Sequence, residues 1–123
     1  MTARRILVVD DDRVTLQCLT ALLCKAGYAP LSAQDPVQAM MQAQRQAPDL
    51  IMTDMLMPAG GGFAVLERLM KSLNTSHIPV LVLTASEDPG VEQRALKLGA
   101  LRVLRKPYDP AILLEAVRSI VGN

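Results

Sequence analysis

Residues 6–12 read ILVVDDD, four aliphatic residues, three of them β-branched, followed at once by three carboxylates. A run this short and bare of charge reads as a strand buried on both faces, because it carries no polar side to turn towards water. The aspartates mark where that strand would leave the core. The same pattern returns at Leu50–Thr53, which runs into Asp54, and at Val80–Leu83, which runs into Thr84. Weaker strands are expected at Ala29–Ala33 and at Leu101–Leu104, the latter leading into Lys106-Pro107.

Between these runs lie helical patterns, each with one apolar stripe of the kind a helix lays on a sheet. The stripes are Leu16, Leu19, Leu22 and Leu23 in the first, Val37, Met40, Met41 and Ala43 in the second, and Phe63, Val65, Leu66 and Leu69 in the third. A fourth helix is expected from about Pro89 to Leu98, ending at Gly99, and a fifth from about Pro110 to Val121, with Ile112, Leu113, Ala116, Val117 and Ile120 on one face. Asp88 and Asp109 each precede a proline at the first helical position, a good start signal. The sum is five βα units in strict alternation. Short loops between such units require right-handed crossovers, giving a mostly parallel sheet covered by helices on both sides. This is an α/β, doubly wound fold, and the whole of residues 1–123 is expected to form a single domain.

Composition removes several classes of function. Lys plus Arg number 13 and Asp plus Glu 12, so the net charge of +1 offers no footprint for nucleic acid. One Phe, two Tyr and no Trp leave no stacking platform for bases. No apolar run approaches the roughly 20 residues needed to cross a bilayer, and the start of the chain does not read as a signal peptide. The protein is therefore expected in the cytoplasm, without membrane contact. Cys18 and Cys24 have no metal-ligand spacing and are expected to be buried thiols. The methionines at 40, 41, 52, 55 and 57 read as core packing, and His77, in a polar stretch before a strand, carries no expected role.

In a doubly wound fold, ligands bind outside the carboxyl ends of the strands. Those ends carry Asp10, Asp11 and Asp12, then Asp54, Thr84, and Lys106-Pro107. Clustered carboxylates stay ionised together only when a cation or a basic group offsets them. An oxygen-rich set with open positions suits Mg²⁺, which keeps waters and shares its shell with phosphate oxygens. Asp12 is the best placed of the three neighbours to act instead as a helix cap.

Four segments, ILVVDDD (6–12), PDLIMTDMLMP (48–58), VLVLTAS (80–86) and LRKPYDP (104–110), together resemble the receiver domain of two-component response regulators, of the chemotaxis-regulator type, and the resemblance runs from about Arg4 to Val121. It implies a flavodoxin-like (βα)5 sandwich with strand order 2-1-3-4-5. It implies that Asp54 accepts a phosphoryl group from a sensor histidine kinase or a histidine phosphotransfer protein. Mg²⁺ would be held by Asp10, Asp11, Asp54 and the backbone carbonyl of Leu56, while Thr84 and Lys106 would bind the phosphoryl oxygens. It further implies a cis Lys106-Pro107 bond and a downstream protein target on the face of the fourth helix, fifth strand and fifth helix. Such a domain assists its own phosphorylation and dephosphorylation and is not otherwise an enzyme. Residues 1–123 are expected to be this receiver alone, with no output domain among them.

The chain also departs from the family pattern. Family members usually carry an aromatic residue three positions before the lysine, which swings inward when the threonine moves; here that residue is Val103, whose branched side chain has essentially one rotamer. The loop after Pro58 reads Ala59-Gly60-Gly61-Gly62 where a Met-Asp-Gly sequence is usual, so a mobile loop and a frayed third helix are expected. Arg102 stands where an acidic residue is common and shifts the expected output face towards positive charge. These departures keep open an alternative, a protein-interaction module that retains the fold but works independently of phosphorylation. Tyr108, just past Lys106-Pro107, is a candidate for a partner surface.

Overall fold

The structure, a computed structural model, describes residues 3–54 and 61–122. The carbonyl of Leu56 and the Ala59-Gly60 half of the glycine-rich loop lie outside the described residues. The elements alternate as β1 (Arg5–Val9), α1 (Arg13–Lys25), β2 (Ala29–Ala33), α2 (Pro36–Gln46), β3 (Leu50–Asp54), α3 (Gly61–Lys71), β4 (Val80–Thr84), α4 (Pro89–Lys97), β5 (Arg102–Arg105) and α5 (Pro110–Val121). Gly61 and Gly62, read from sequence as loop, are the first turn of α3.

Four helices begin the same way. Asp12, Asp35, Asp88 and Asp109 adopt extended backbone and accept a hydrogen bond from the N–H of Val14, Gln38, Gly90 and Ala111, at 3.1, 2.8, 2.9 and 2.8 Å. Each satisfies a donor the helix cannot, an arrangement worth about 1 kcal/mol. Prolines 36, 89 and 110 follow three of these caps, at positions that need no N–H.

All strands are parallel, in the order β2-β1-β3-β4-β5. Alternate side chains therefore enter two separate cores. Ile6, Val8, Leu50, Met52, Leu81 and Leu83 meet Leu16, Leu19 and Leu23 of α1 and Leu113 and Val117 of α5. Leu7, Val9, Ile51, Val80 and Val82 meet Ala39 and Ala43 of α2, Val65, Leu66 and Leu69 of α3, and Ala95 of α4. Burying each large aliphatic side chain contributes roughly 1.5–3 kcal/mol. The three inner strands, β1, β3 and β4, are thus pinned from both sides, and their carboxyl ends are left to project polar groups.

Three sequence expectations are corrected here. Cys18 and Cys24 are exposed. At about 100° per residue they fall off the stripe set by Leu16, Leu19 and Leu23, although they share its stretch of sequence. In α2 the buried residues are Ala39 and Ala43, with Met40 partly covered, while Val37 and Met41 remain 62% and 45% exposed. At about 100° per residue Val37 and Met41 fall on the side of the helix opposite Ala39, so a buried stripe set by Ala39 and Ala43 turns them to solvent. Ile112 of α5 is likewise exposed, and Leu113, Ala116 and Val117 carry the contact.

One glycine is required where α4 turns into β5. Gly99 has φ +116, and a Cβ there would lie 2.7 Å from the Met70 sulfur of α3. The turn needs both the backbone freedom and the missing side chain.

Candidate functional site

β1 pairs with β2 on one side and β3 on the other, so the chain reverses its winding between β1 and β3. Asp10 and Asp54 emerge from these two strands, on either side of the crevice where ligands of such sheets bind. Thr84 ends β4, one residue beyond Leu83, which pairs with Asp54. Lys106 follows β5 directly, and its N–H donates to the Thr84 carbonyl at 2.7 Å, tying the fourth and fifth strand ends together. The Lys106-Pro107 peptide bond is cis, as the resemblance implied.

The burial of these residues is uneven. Asp10, Asp54 and Thr84 are 2%, 8% and 1% exposed, whereas Asp11 is open to solvent and Lys106 half-buried. The Lys106 ammonium stands 3.4 Å from Oδ2 of Asp10 and 3.6 Å from Oδ2 of Asp54. Asp10 is held from the other side by the backbone N–H of Asp12, which donates to its Oδ1 at 2.9 Å. Asp12 itself caps α1 and accepts from the Thr15 hydroxyl at 2.8 Å, a bond that lowers the pKa of its carboxyl. Its cap role is as expected from sequence.

Carboxylate oxygens of Asp10, Asp11 and Asp54 lie within 4.8 Å of one another. Three negative charges therefore face one ammonium, in a crevice where two of the carboxylates have lost most of their water. Burial pushes the Asp10 carboxyl above its ordinary pKa; the N–H of Asp12 and the charge of Lys106 pull it down, and the charge of Asp54 pushes it up again. An all-oxygen donor set with residual negative charge fits a hard divalent cation that retains part of its water shell.

Thr84 contributes a hydroxyl whose oxygen accepts from the Ser86 N–H at 3.0 Å, leaving its O–H to donate. Tyr108, half-buried, packs against the α1–α5 core, and burial raises the pKa of its phenol. His77 is exposed and lies before β4, remote from the strand ends that carry the cluster.

The response regulator receiver domain family matches residues 6–118. The chain belongs to this family. Its function is therefore that of a receiver in two-component signal transduction. Similar proteins include response regulator PleD of Caulobacter vibrioides, 39% identical over 116 residues, covering 94% of this chain and 26% of PleD. The phosphate regulon regulator PhoB of Escherichia coli is 33% identical, covering 97% of this chain and 52% of its own length. Protein PilH of Pseudomonas aeruginosa is 32% identical, covering 97% and 98%. This receiver thus spans a quarter to a half of some relatives and nearly all of another. Among solved structures, the chemotaxis response regulator CheY4 of Vibrio cholerae superposes with a TM-score of 0.88 at 30% identity, covering 97% of this chain and 99% of that one. The receiver domain of sensor histidine kinase PA1611 from Pseudomonas aeruginosa, solved with magnesium coordinated in its active-site cleft, has a TM-score of 0.88 at 28% identity, covering 99% and 100%.

The structure brings together Asp10, Asp11, Asp54 and Lys106, with Thr84 on the adjoining strand end. Asp88 caps α4 as its place before Pro89 indicated, whereas sequence reading gave no role to Ser86, which lies between it and Thr84. The Ser86 hydroxyl accepts from the Asp88 N–H at 3.1 Å, and Asp88 caps α4. The spacing Thr-x-Ser-x-Asp held the signal, since each of these residue types can accept from a backbone N–H two positions on.

Proposed function

We propose that Asp54 is the phosphoacceptor of this receiver and that Asp10 and Asp11, with Asp54, hold Mg²⁺ beside it. The observation that carries the reading is the Lys106 ammonium within 3.6 Å of both buried carboxylates. Phosphoryl transfer asks mainly for positioning and charge neutralisation. A carboxylate needs no general base, being ionised near neutral pH. One Asp54 oxygen bonds to phosphorus as the P–N bond of a phosphohistidine breaks, its electron pair leaving with the imidazole. Lys106 and the Thr84 O–H stabilise the equatorial oxygens as charge spreads onto them. Held by Asp10, Asp11 and Asp54, the cation would supply positive charge to offset the carboxylates and the phosphoryl oxygens. The magnesium in the PA1611 receiver supports the choice of ion. The donor is a sensor histidine kinase or a phosphotransfer protein, and the domain assists its own modification and its return by hydrolysis. A downstream protein reads the result on the face of α4, β5 and α5.

Incubation with acetyl phosphate and Mg²⁺ should add the mass of one phosphoryl group, and Asp54→Ala or withdrawal of Mg²⁺ should abolish the gain. A gain that survives Asp54→Ala would refute the assignment. Val103 favours a second reading, in which partners bind irrespective of phosphorylation. Equal partner affinity for the unmodified protein, the phosphorylated protein and Asp54→Ala would establish it.

A further inference from the structure

The net charge of +1 conceals a polarised molecule. Parallel strands joined by helices place the helix carboxyl termini at the amino end of the sheet, opposite Asp10 and Asp54. Lys25, Arg45, Arg68, Lys71, Lys97 and Arg118 lie in those last turns. Each is placed to offset about half a negative charge at its own helix end. That accounts for the cations one helix at a time and leaves positive charge in excess over this end of the molecule.

It does not account for the leucines among them. Leu73, in the turn between α3 and β4, is 93% exposed, Leu101, just before β5, is 59% exposed, and Leu96 of α4 is 44% exposed. The three belong to one corner. A Cβ on Gly99 would meet the Met70 sulfur, so the turn from α4 to β5 lies against the end of α3, and the Leu101 N–H donates to the Val80 carbonyl at 2.9 Å. The turn that carries Leu73 is tied by its own hydrogen bonds. The Ser76 N–H donates to the Ser72 carbonyl at 2.8 Å, the Ile78 N–H to the Thr75 carbonyl at 3.0 Å, and the buried Thr75 hydroxyl to the Leu69 carbonyl at 2.7 Å. Leu73 is thus held out in water by a fixed turn. Around it Arg68, Lys71, Lys97 and Arg102 are exposed, and neither residues 68–86 nor residues 93–108 contain an Asp or Glu. Asp49, just before β3, is engaged by the Arg5 N–H at 2.8 Å and the Arg4 guanidinium at 3.8 Å.

We infer that this corner docks on the surface of an anionic lipid bilayer, with Leu73 entering the interface and the four cations meeting lipid phosphates. Charge complementarity requires an anionic partner. Leu73 stands so far out from its own chain that a rigid acidic protein or a nucleic acid would cover it only with a matching hollow, whereas fluid lipid closes round it. The expectation of no membrane contact rested on the lack of an apolar run, which bears only on crossing. No helix of the described residues is long and apolar enough to cross, so the contact is with the surface alone. Docking at the amino end of the sheet leaves the crevice of Asp10 and Asp54, at the carboxyl end, facing away from the lipid.

The chain has no tryptophan, so a single introduced one reports its own surroundings. On vesicles of phosphatidylcholine mixed with phosphatidylglycerol, emission of Leu73→Trp should shift to the blue and be quenched by brominated acyl chains. Val14→Trp, exposed at the start of α1 at the other end of the molecule, should show neither effect. In sedimentation the native sequence should bind the mixed vesicles and not phosphatidylcholine alone. Lys71→Gln should weaken binding roughly fivefold, the effect of one basic residue near an anionic leaflet. Leu73→Ser should weaken it roughly tenfold, and both variants should melt as the native sequence does because these side chains are exposed. Absence of binding to the mixed vesicles overturns the inference. Binding that Leu73→Ser leaves unaltered also overturns it, and gives the cations to an acidic protein or a nucleic acid instead. A blue shift of equal size in Val14→Trp overturns this corner as the docking face.

Discussion

At the carboxyl end of the sheet, Asp10, Asp54 and Thr84 are buried side by side and Lys106 closes on both carboxylates. On the neighbouring flank, α4 touches the core through Ala95, with Val91 and the C-capping Leu98 partly covered, and its first two residues, Pro89 and Gly90, are exposed. The first region is set by the ends of strands that are packed on both faces. The second is set by a short helix whose position rests on caps and single contacts. Capture of a phosphoryl group and its transmission therefore place different demands on the sequence, and one can vary while the other is kept. Val103 alters the second without touching a ligand of the first.

Lys106→Ala gives the sharpest test of that division. Charge-assisted hydrogen bonds to buried groups contribute about 1.5–3 kcal/mol, so losing the ammonium should weaken beryllofluoride binding roughly 10- to 150-fold. A substitution on the flank, Arg94→Gln, should leave the same affinity within about threefold. Titration followed by fluorine NMR measures both. Comparable losses in the two variants would erase the distinction between the regions.

Asp10→Asn probes the cost of the first region to the fold. Burial raises the Asp10 carboxyl above its ordinary 3.8, so the native state binds its proton more tightly than the unfolded chain does. For this group stability is lost as pH rises from 3.8 through the raised value, and it is regained on acidification. Without Mg²⁺, Asp10→Asn should gain about 1 kcal/mol near neutral pH, roughly 3–6 °C in Tm for a chain of this size. It should also flatten the pH dependence above 3.8. Mg²⁺ should raise the Tm of the native sequence and much less that of the variant, by mass action on the folded state. Thermal melts at several pH values, with and without Mg²⁺, decide the sign; a lower Tm for the metal-free variant would show that the Lys106 pairing outweighs the burial.

The two regions were also unequally legible. The strands at 6–9, 50–53 and 80–83 could be read because buried parallel strands tolerate no charge, and their polar ends then pointed to Asp10, Asp54 and Thr84. Lys106 followed from the Lys-Pro step after the last strand. The flank could not be read in this way. The Asp88 cap was legible from the proline that follows it, but that Ser86 accepts from the Asp88 N–H depends on backbone angles in a loop where no periodic pattern operates. The exposure of Cys18, Val37 and Met41 was misread for a related reason. Apolar composition shows that a helix has a buried stripe, but which residues lie on it depends on the phase at which the helix packs, and in α2 that phase follows the small Ala39 and Ala43 rather than the bulkier Val37 and Met41.

The contact that seats α4 on its neighbour is smaller still and equally open to test. The Arg94 guanidinium carbon lies 4.0 Å from the centroid of the Phe63 ring, near the start of α3, the helix that follows β3. Phe63 is the chain's single phenylalanine, so no other ring of its kind can take its place. An exposed cation–π pair contributes about 0.5–1 kcal/mol. A double-mutant cycle with Arg94→Ala and Phe63→Leu should therefore return a coupling energy of about that size in denaturant melts of the free protein. If the adduct at Asp54 loosens the first turn of α4 but leaves the helix seated, the same coupling should persist with beryllofluoride bound, since Arg94 lies in the second half of the helix. If α4 instead leaves its site as a body, the coupling should vanish on adduct formation. The cycle thus separates a change confined to the helix start from a displacement of the whole element, and zero coupling in the free protein would remove Arg94 from the account of how α4 is held.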